Sequence, residues 1–250
     1  MRYSKIGFFL LLCMVSGTVW AQKTVRLVEA GRYEMTKKWD AAPDSAAWRI
    51  VAPYRKAVDS IMSPVLGESE VYMWVDRPES PLSNFVADVL LDASVRVGKK
   101  ADIGLCNMGG LRSTMPKGPV TYGHILEISP FENKLCILAL KGNKLLELME
   151  QIAAVGGEGV SRGVKLVITK DGRLLNAEIN GKPIDPNGIY VISTLDYLSE
   201  GNDRLYALKD HLFKKETDFK VRDLLMEAVM YSQSAGRKVT AKVEGRITKQ

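Results

Sequence analysis

Between residues 134 and 181 the apolar pattern changes character twice. A continuous apolar run at 134–140 gives way at Gly142 to helical spacing over 144–153, where Leu145, Leu148, Met149 and Ile152 share a stripe. Two short strand-like runs follow at 164–169 and 174–179, and Asn180-Gly181 starts a tight turn. A chain that mixes hairpins with helical crossovers is an α+β domain, a mixed β-sheet packed with helices.

The flanks fit that class. Asp44 or Ser45 can cap a helix carrying Ile50, Tyr54, Val58 and Ile61, with a kink or restart expected at Pro53. Residues 70–76 alternate, with Val71, Met73 and Val75 opposite Tyr72 and Trp74, which predicts a strand packed on both faces. Ser80-Pro81 opens an amphipathic helix with Leu82, Phe85, Val86, Val89, Leu90 and Ala93 on one stripe. Short strands are expected at 101–106 and 190–194, a Thr121-capped helix to Glu127, a last helix at 221–230 and a closing strand at 239–243.

Ahead of this, Arg2 and Lys5 precede an apolar stretch from Ile6 to Val15 and the small residue Ala21, the layout of a signal peptide over residues 1–21. Residues 22–43 read as an extended lead-in and 44–250 as the domain. No run is long enough for a transmembrane segment. The net charge of +6 becomes +4 without Arg2 and Lys5, with cations scattered among acids, so no stripe for nucleic acid exists. Cys106 and Cys136 sit in apolar runs and are expected as buried free thiols. Two histidines, His124 and His211, cannot build a three-histidine zinc site or a histidine-rich dinuclear phosphoesterase centre. Both read as structural or solvent-facing.

Several motifs then occur in order: Leu82-Ser83-Asn84-Phe85-Val86-Ala87-Asp88, Asn107-Met108-Gly109-Gly110-Leu111-Arg112, Val120-Thr121-Tyr122-Gly123, Ser129-Pro130-Phe131-Glu132-Asn133, Asp196-Tyr197-Leu198-Ser199-Glu200-Gly201-Asn202-Asp203 and Glu244-Gly245-Arg246-Ile247. Together they resemble the carboxy-terminal, substrate-binding domain of the 5'-nucleotidase / UDP-sugar hydrolase family over residues 45–247.

That resemblance implies a nucleotide base sandwiched between Phe131 and Tyr197 and met by Asn133, with phosphate and sugar contacts from Arg112, Asn107, Asp203 and, one residue out of register, Arg77. It also implies that the hydrolytic metals belong to a metallophosphoesterase unit. The expectation is a secreted or periplasmic nucleotide-recognition subunit with no cofactor of its own, whose partner is a separately encoded metallophosphoesterase carrying divalent metals. A free-standing nucleotide or nucleotide-sugar binding module and a scaffold with a decayed pocket stay open as alternatives. One departure bears on the site. The family usually has glycines where Asn202 and Arg204 flank Asp203, so this loop is expected to take another shape, with Arg204 filling part of the pocket or adding a phosphate contact.

Overall fold

Polar turn residues cut the apolar runs into short strands, and in the computed structural model, which describes residues 29–34, 36–39 and 44–250, these strands form three sheets among the described residues. The expected signal peptide and residues 22–28, 35 and 40–43 of the expected lead-in lie outside the described residues. The chain divides into two compact units between Ile50 and Val51. The first contains a short 3-10 turn, Lys37–Trp39, and the start of helix α1 (Ser45–Met62), where Asp44 Oδ1 accepts from the Ala46 and Ala47 N–H groups at 2.8 and 3.2 Å. α1 does not restart at Pro53 but continues through it, and it buries none of its residues. The carbonyl that loses its partner to the proline faces water there, which lowers the cost of an interior proline.

In the second unit, β1 (Val65–Ser69) precedes α2 (Pro81–Ala93), β2 (Ile103–Cys106), β3 (Gly118–Thr121), α3 (Tyr122–Ile128), β4 (Lys134–Lys141) and α4 (Gly142–Ala154). There follow β5 (Gly159–Val160), β6 (Val164–Ile168), β7 (Leu174–Ile179), β8 (Lys182–Pro183), β9 (Ile189–Leu195), α5 (Asp196–Ser199), β10 (Phe213–Lys220), α6 (Val221–Ser234) and β11 (Ile247–Lys249). The main sheet has the order β10-β4-β9-β2-β5; β2 and β9 are parallel and the other pairs antiparallel, so the mixed α+β architecture holds. A four-stranded sheet, β11-β6-β7-β8, and the pair β1-β3 complete the fold.

Ser80 caps α2 as its sequence predicts, its hydroxyl and that of Ser83 each accepting from the other's N–H at 3.4 and 3.2 Å. The helix lies directly on β2, because a Cβ at Gly104 would stand 2.1 Å from the Ala87 carbonyl oxygen. Asn180 and Gly181 both take positive φ, 52° and 73°, in the β7-β8 turn. His124 is structural: its Nδ1 accepts from Thr121 N–H at 3.1 Å while Thr121 Oγ1 accepts from His124 N–H at 3.2 Å, capping α3.

Two strands fall elsewhere than expected. Residues 70–76 make only an isolated bridge, Met73 to Met115, and the regular strand is β1 just upstream. Met73 is fully buried, but Tyr72 and Trp74 stay exposed, so only one face is packed. Val239 likewise makes a single bridge to Ser69, and the closing strand is β11. Arg246, just before β11, is 3% exposed and donates to both Asp88 oxygens at 2.8 Å, to Glu244 Oε2 at 2.9 Å and to the Val160 carbonyl at 2.9 Å. Asn84 donates to Glu79 Oε1 at 2.6 Å and to the Lys242 carbonyl at 2.9 Å. The first and last motifs thus fasten the C-terminal segment to α2. Cys106 and Cys136 are free and buried, and burial pushes both thiols up.

Candidate functional site

The C-terminal ends of β2 and β9 lie near the start of β4, and each of these strand ends delivers a polar loop to one place. Asn107 follows β2 directly, Phe131 and Asn133 lead into β4, and Tyr197 sits in α5 at the end of β9. These residues, with Asp203, Gly109 and Gly110, line one cavity of about 270 Å³. Phe131 and Tyr197 are 47% and 42% exposed, so both rings face open space instead of filling the core.

Hydrogen bonds fix each wall. Glu132 pairs with Lys220 and, at 2.5 Å, with Arg222, while Val221 N–H donates to the Asn133 carbonyl at 2.9 Å, tying the Phe131 loop to the start of α6. The Lys220 ammonium, then the Arg222 guanidinium, hold the Glu132 carboxyl below its usual value. Across the cavity, Asn202 Nδ2 donates to the Tyr197 carbonyl at 2.7 Å, closing the loop after α5. Asp203 joins the walls: Oδ2 accepts from Asn107 Nδ2 at 2.5 Å and Oδ1 from the Tyr197 hydroxyl at 3.0 Å. That bond to Asp203 raises the pKa of the Tyr197 phenol. Asn107 is 6% exposed, and its Oδ1 is buried without a hydrogen-bond partner. An acceptor left in that state costs free energy until a donor reaches it.

Five of the seven residues named from sequence therefore meet: Phe131, Tyr197, Asn133, Asn107 and Asp203. Arg77 lies just beyond, lining a second cavity of about 270 Å³ that shares Gly109 and Asp203 with the first. Its guanidinium donates to the Gly157 carbonyl at 3.0 Å and to Glu158 at 2.5 Å. Arg112 lines neither cavity; it is exposed and folds back to donate to the Gly109 carbonyl at 3.0 Å. Met108 is buried as packing.

Sequence reading passes over Glu158. It is 2% exposed, accepts from Met108 N–H at 2.5 Å, and pairs with Arg77. Burial pushes its carboxyl up to about 7 against the Met108 and Arg77 contacts that pull it down, and Asp203 adds to the rise. A lone acid in a glycine-rich loop has no period to betray it; only the tertiary contact does. The loop at Asp203 carries an uncommon backbone. Asn202 stays out of the left-handed region, whereas Asp203 and Arg204 enter it consecutively at φ 55° and 66°. For a residue such as Arg that conformation costs about 1–2 kcal/mol.

A larger groove, about 600 Å³ between α2 and α6, offers less to a ligand. Charges along it already pair, Arg96 with Glu227 and Asp92 with Arg162. Among the described residues no three His, Cys, Asp or Glu side chains gather to hold a metal ion, so the residues present do not fit a metal pair.

A mixed sheet with a cleft at its strand ends, walled by two exposed aromatics and an amide-carboxylate pair, defines a small-molecule recognition domain. Residues 65–210 match the 5'-nucleotidase, C-terminal domain family, and the chain belongs to it. It is a hydrolase-family domain. The chain is 31% identical over 171 residues to the endonuclease YhcR of Bacillus subtilis, covering 66% of this chain and 14% of that protein. It is 26% identical over 170 residues to protein UshA of Yersinia enterocolitica, covering 66% and 30%. The crystal structure of a 5'-nucleotidase precursor from Thermus thermophilus superposes with a TM-score of 0.73 at 28% identity, over 84% of this chain and 44% of that one. The chain thus spans less than half the length of each of these proteins.

Proposed function

We propose that this chain is the base- and sugar-recognising subunit of a 5'-nucleotidase-type phosphohydrolase, acting outside the cytoplasm, and that a separate metallophosphoesterase chain supplies the divalent metals. The observation that carries the reading is the convergence of Phe131 and Tyr197, both about half exposed, with Asn133, Asn107 and Asp203 on one cavity. Two flat faces suit a purine or pyrimidine, and stacking on an aromatic contributes about 1–3 kcal/mol per base with little discrimination among bases. Asn133 offers two donors and an acceptor to a ring edge. Asp203, already oriented by Asn107 and Tyr197, keeps lone pairs for ribose hydroxyls. Binding energy collected at the base would then position the phosphate for chemistry performed by the partner.

Isothermal titration of the mature protein with AMP, UMP, adenosine and UDP-glucose tests this. Saturable binding is expected, weakened roughly 5- to 150-fold by Phe131→Ala and by Tyr197→Ala. Binding that both substitutions leave intact would place the ligand elsewhere and sink the reading. The partner is tested by adding a secreted metallophosphoesterase to the purified chain: nucleotide hydrolysis should exceed that of the metalloenzyme alone.

A further inference from the structure

The second cavity, which adjoins the base pocket through Gly109 and Asp203, is walled by Arg77, Glu158, Val155 and Arg204. Its charges are two guanidiniums and two carboxylates, and three of the four are engaged. Arg77 is held by Glu158 and the Gly157 carbonyl. Glu158 accepts from Arg77 and Met108, and Asp203 from Asn107 and Tyr197. Arg204 is exposed and makes no hydrogen bond or ion pair among the described residues. It is carried by a left-handed backbone, φ 66°, directly after another left-handed residue. A strained position bearing the single unengaged charge of a cavity lining is the pattern of a side chain held for a ligand.

Size points the same way. The base pocket, about 270 Å³, falls below the ~300–1,000 Å³ of most ligand sites and suits a ring more than a whole nucleotide. With a base between Phe131 and Tyr197 and the sugar at Asp203, what lies past Asp203 is a substituent of the ribose. We propose that Arg204 is a specificity-determining residue that takes a phosphoryl group carried on the ribose, in the cavity it shares with Arg77. A guanidinium fork matches phosphate oxygens, and Arg77, already anchored, adds a fixed cation to the same lining. This assignment rests on the base-pocket reading above.

The test compares adenosine, 5'-AMP, 3'-AMP and inorganic phosphate by calorimetry on the full chain, its Arg204→Gln variant and its Arg204→Lys variant. At least one phosphate isomer is expected to bind roughly tenfold or more tightly than adenosine, and which isomer does so reports the ribose end that meets Arg204. In Arg204→Gln that advantage should fall to less than threefold with adenosine affinity unchanged, and Arg204→Lys should keep part of it. An advantage absent from the parent chain, or fully retained in Arg204→Gln, overturns the proposal. Failure of adenosine to bind would instead defeat the base-pocket reading. In that event inorganic phosphate decides the subsite alone: saturable binding lost in Arg204→Gln upholds it, and no binding overturns it.

Discussion

Glu158 lets the electrostatics behind the site be tested without any ligand. Its folded pKa is about 7 against an ordinary 4.5, burial outweighing the Met108 N–H and the Arg77 guanidinium. Between those two values the folded protein holds a proton that the unfolded chain has released. Stability from this group is therefore full below about 4.5, declines as pH rises, and is gone above about 7. At about 1.4 kcal/mol per pH unit the whole decline amounts to roughly 3 kcal/mol. The side chain is 1% exposed, so solvent screening takes little from that figure. Glu158→Gln keeps the shape and an acceptor while removing the titration. Urea unfolding of both proteins at intervals from pH 4 to 8 gives two stability profiles whose difference isolates the group. The parent should lose roughly 2–3 kcal/mol relative to the variant across that range. A flat difference would mean that the Met108 and Arg77 contacts cancel burial, and a parent that gains on the variant as pH rises would mean that they outweigh it; either result would refute the reasoning.

Three other outcomes follow from single contacts. Asp203→Asn tolerates the left-handed backbone but removes the charged acceptor from the Tyr197 hydroxyl. The Tyr197 phenol should then titrate at lower pH in ultraviolet difference spectra, and nucleoside affinity should drop roughly tenfold. Arg204→Gly should raise unfolding free energy by about 1 kcal/mol in urea titration, since it relieves the φ of 66°. Arg246→Ala removes the buried guanidinium from both Asp88 oxygens, leaving that carboxylate to Arg162, and takes a donor from the Val160 carbonyl; it should cost about 3 kcal/mol in the same assay, while the folded fraction keeps its nucleoside affinity.

The helices and inner strands are legible in sequence because their signals are local. Ser80-Pro81 and Thr121 carry their own caps, and β4 and β9 are apolar enough to show as strands. What escapes is set by partners distant in sequence. β10 reads Phe213-Lys214-Lys215-Glu216-Thr217-Asp218-Phe219-Lys220, too charged to register as a strand, yet as the edge of the main sheet it needs only one partner, β4; Lys215, Glu216 and Asp218 face water, and the largely covered Lys214 pairs with Glu200 and Glu216. β1 is masked by residues 70–76, whose alternation is real but serves one buried residue, Met73, and a single bridge.

The site divides along the same line. Phe131, Tyr197 and Asp203 stand in motifs whose residue types suggest their chemistry, and they meet in one cavity. Arg112, equally prominent in its motif, lines neither cavity, because one backbone acceptor, the Gly109 carbonyl, lies within its reach. An arginine's position in a motif fixes its backbone, but the side chain goes to whichever acceptor the surrounding loops present. Arg77 reaches the second cavity because Glu158, distant in sequence, anchors it there. Arg204 reaches it because two successive left-handed residues turn the chain toward it. The three arginines of this region thus have three fates, and each is decided by a neighbouring carbonyl, carboxylate or backbone angle that only the fold supplies.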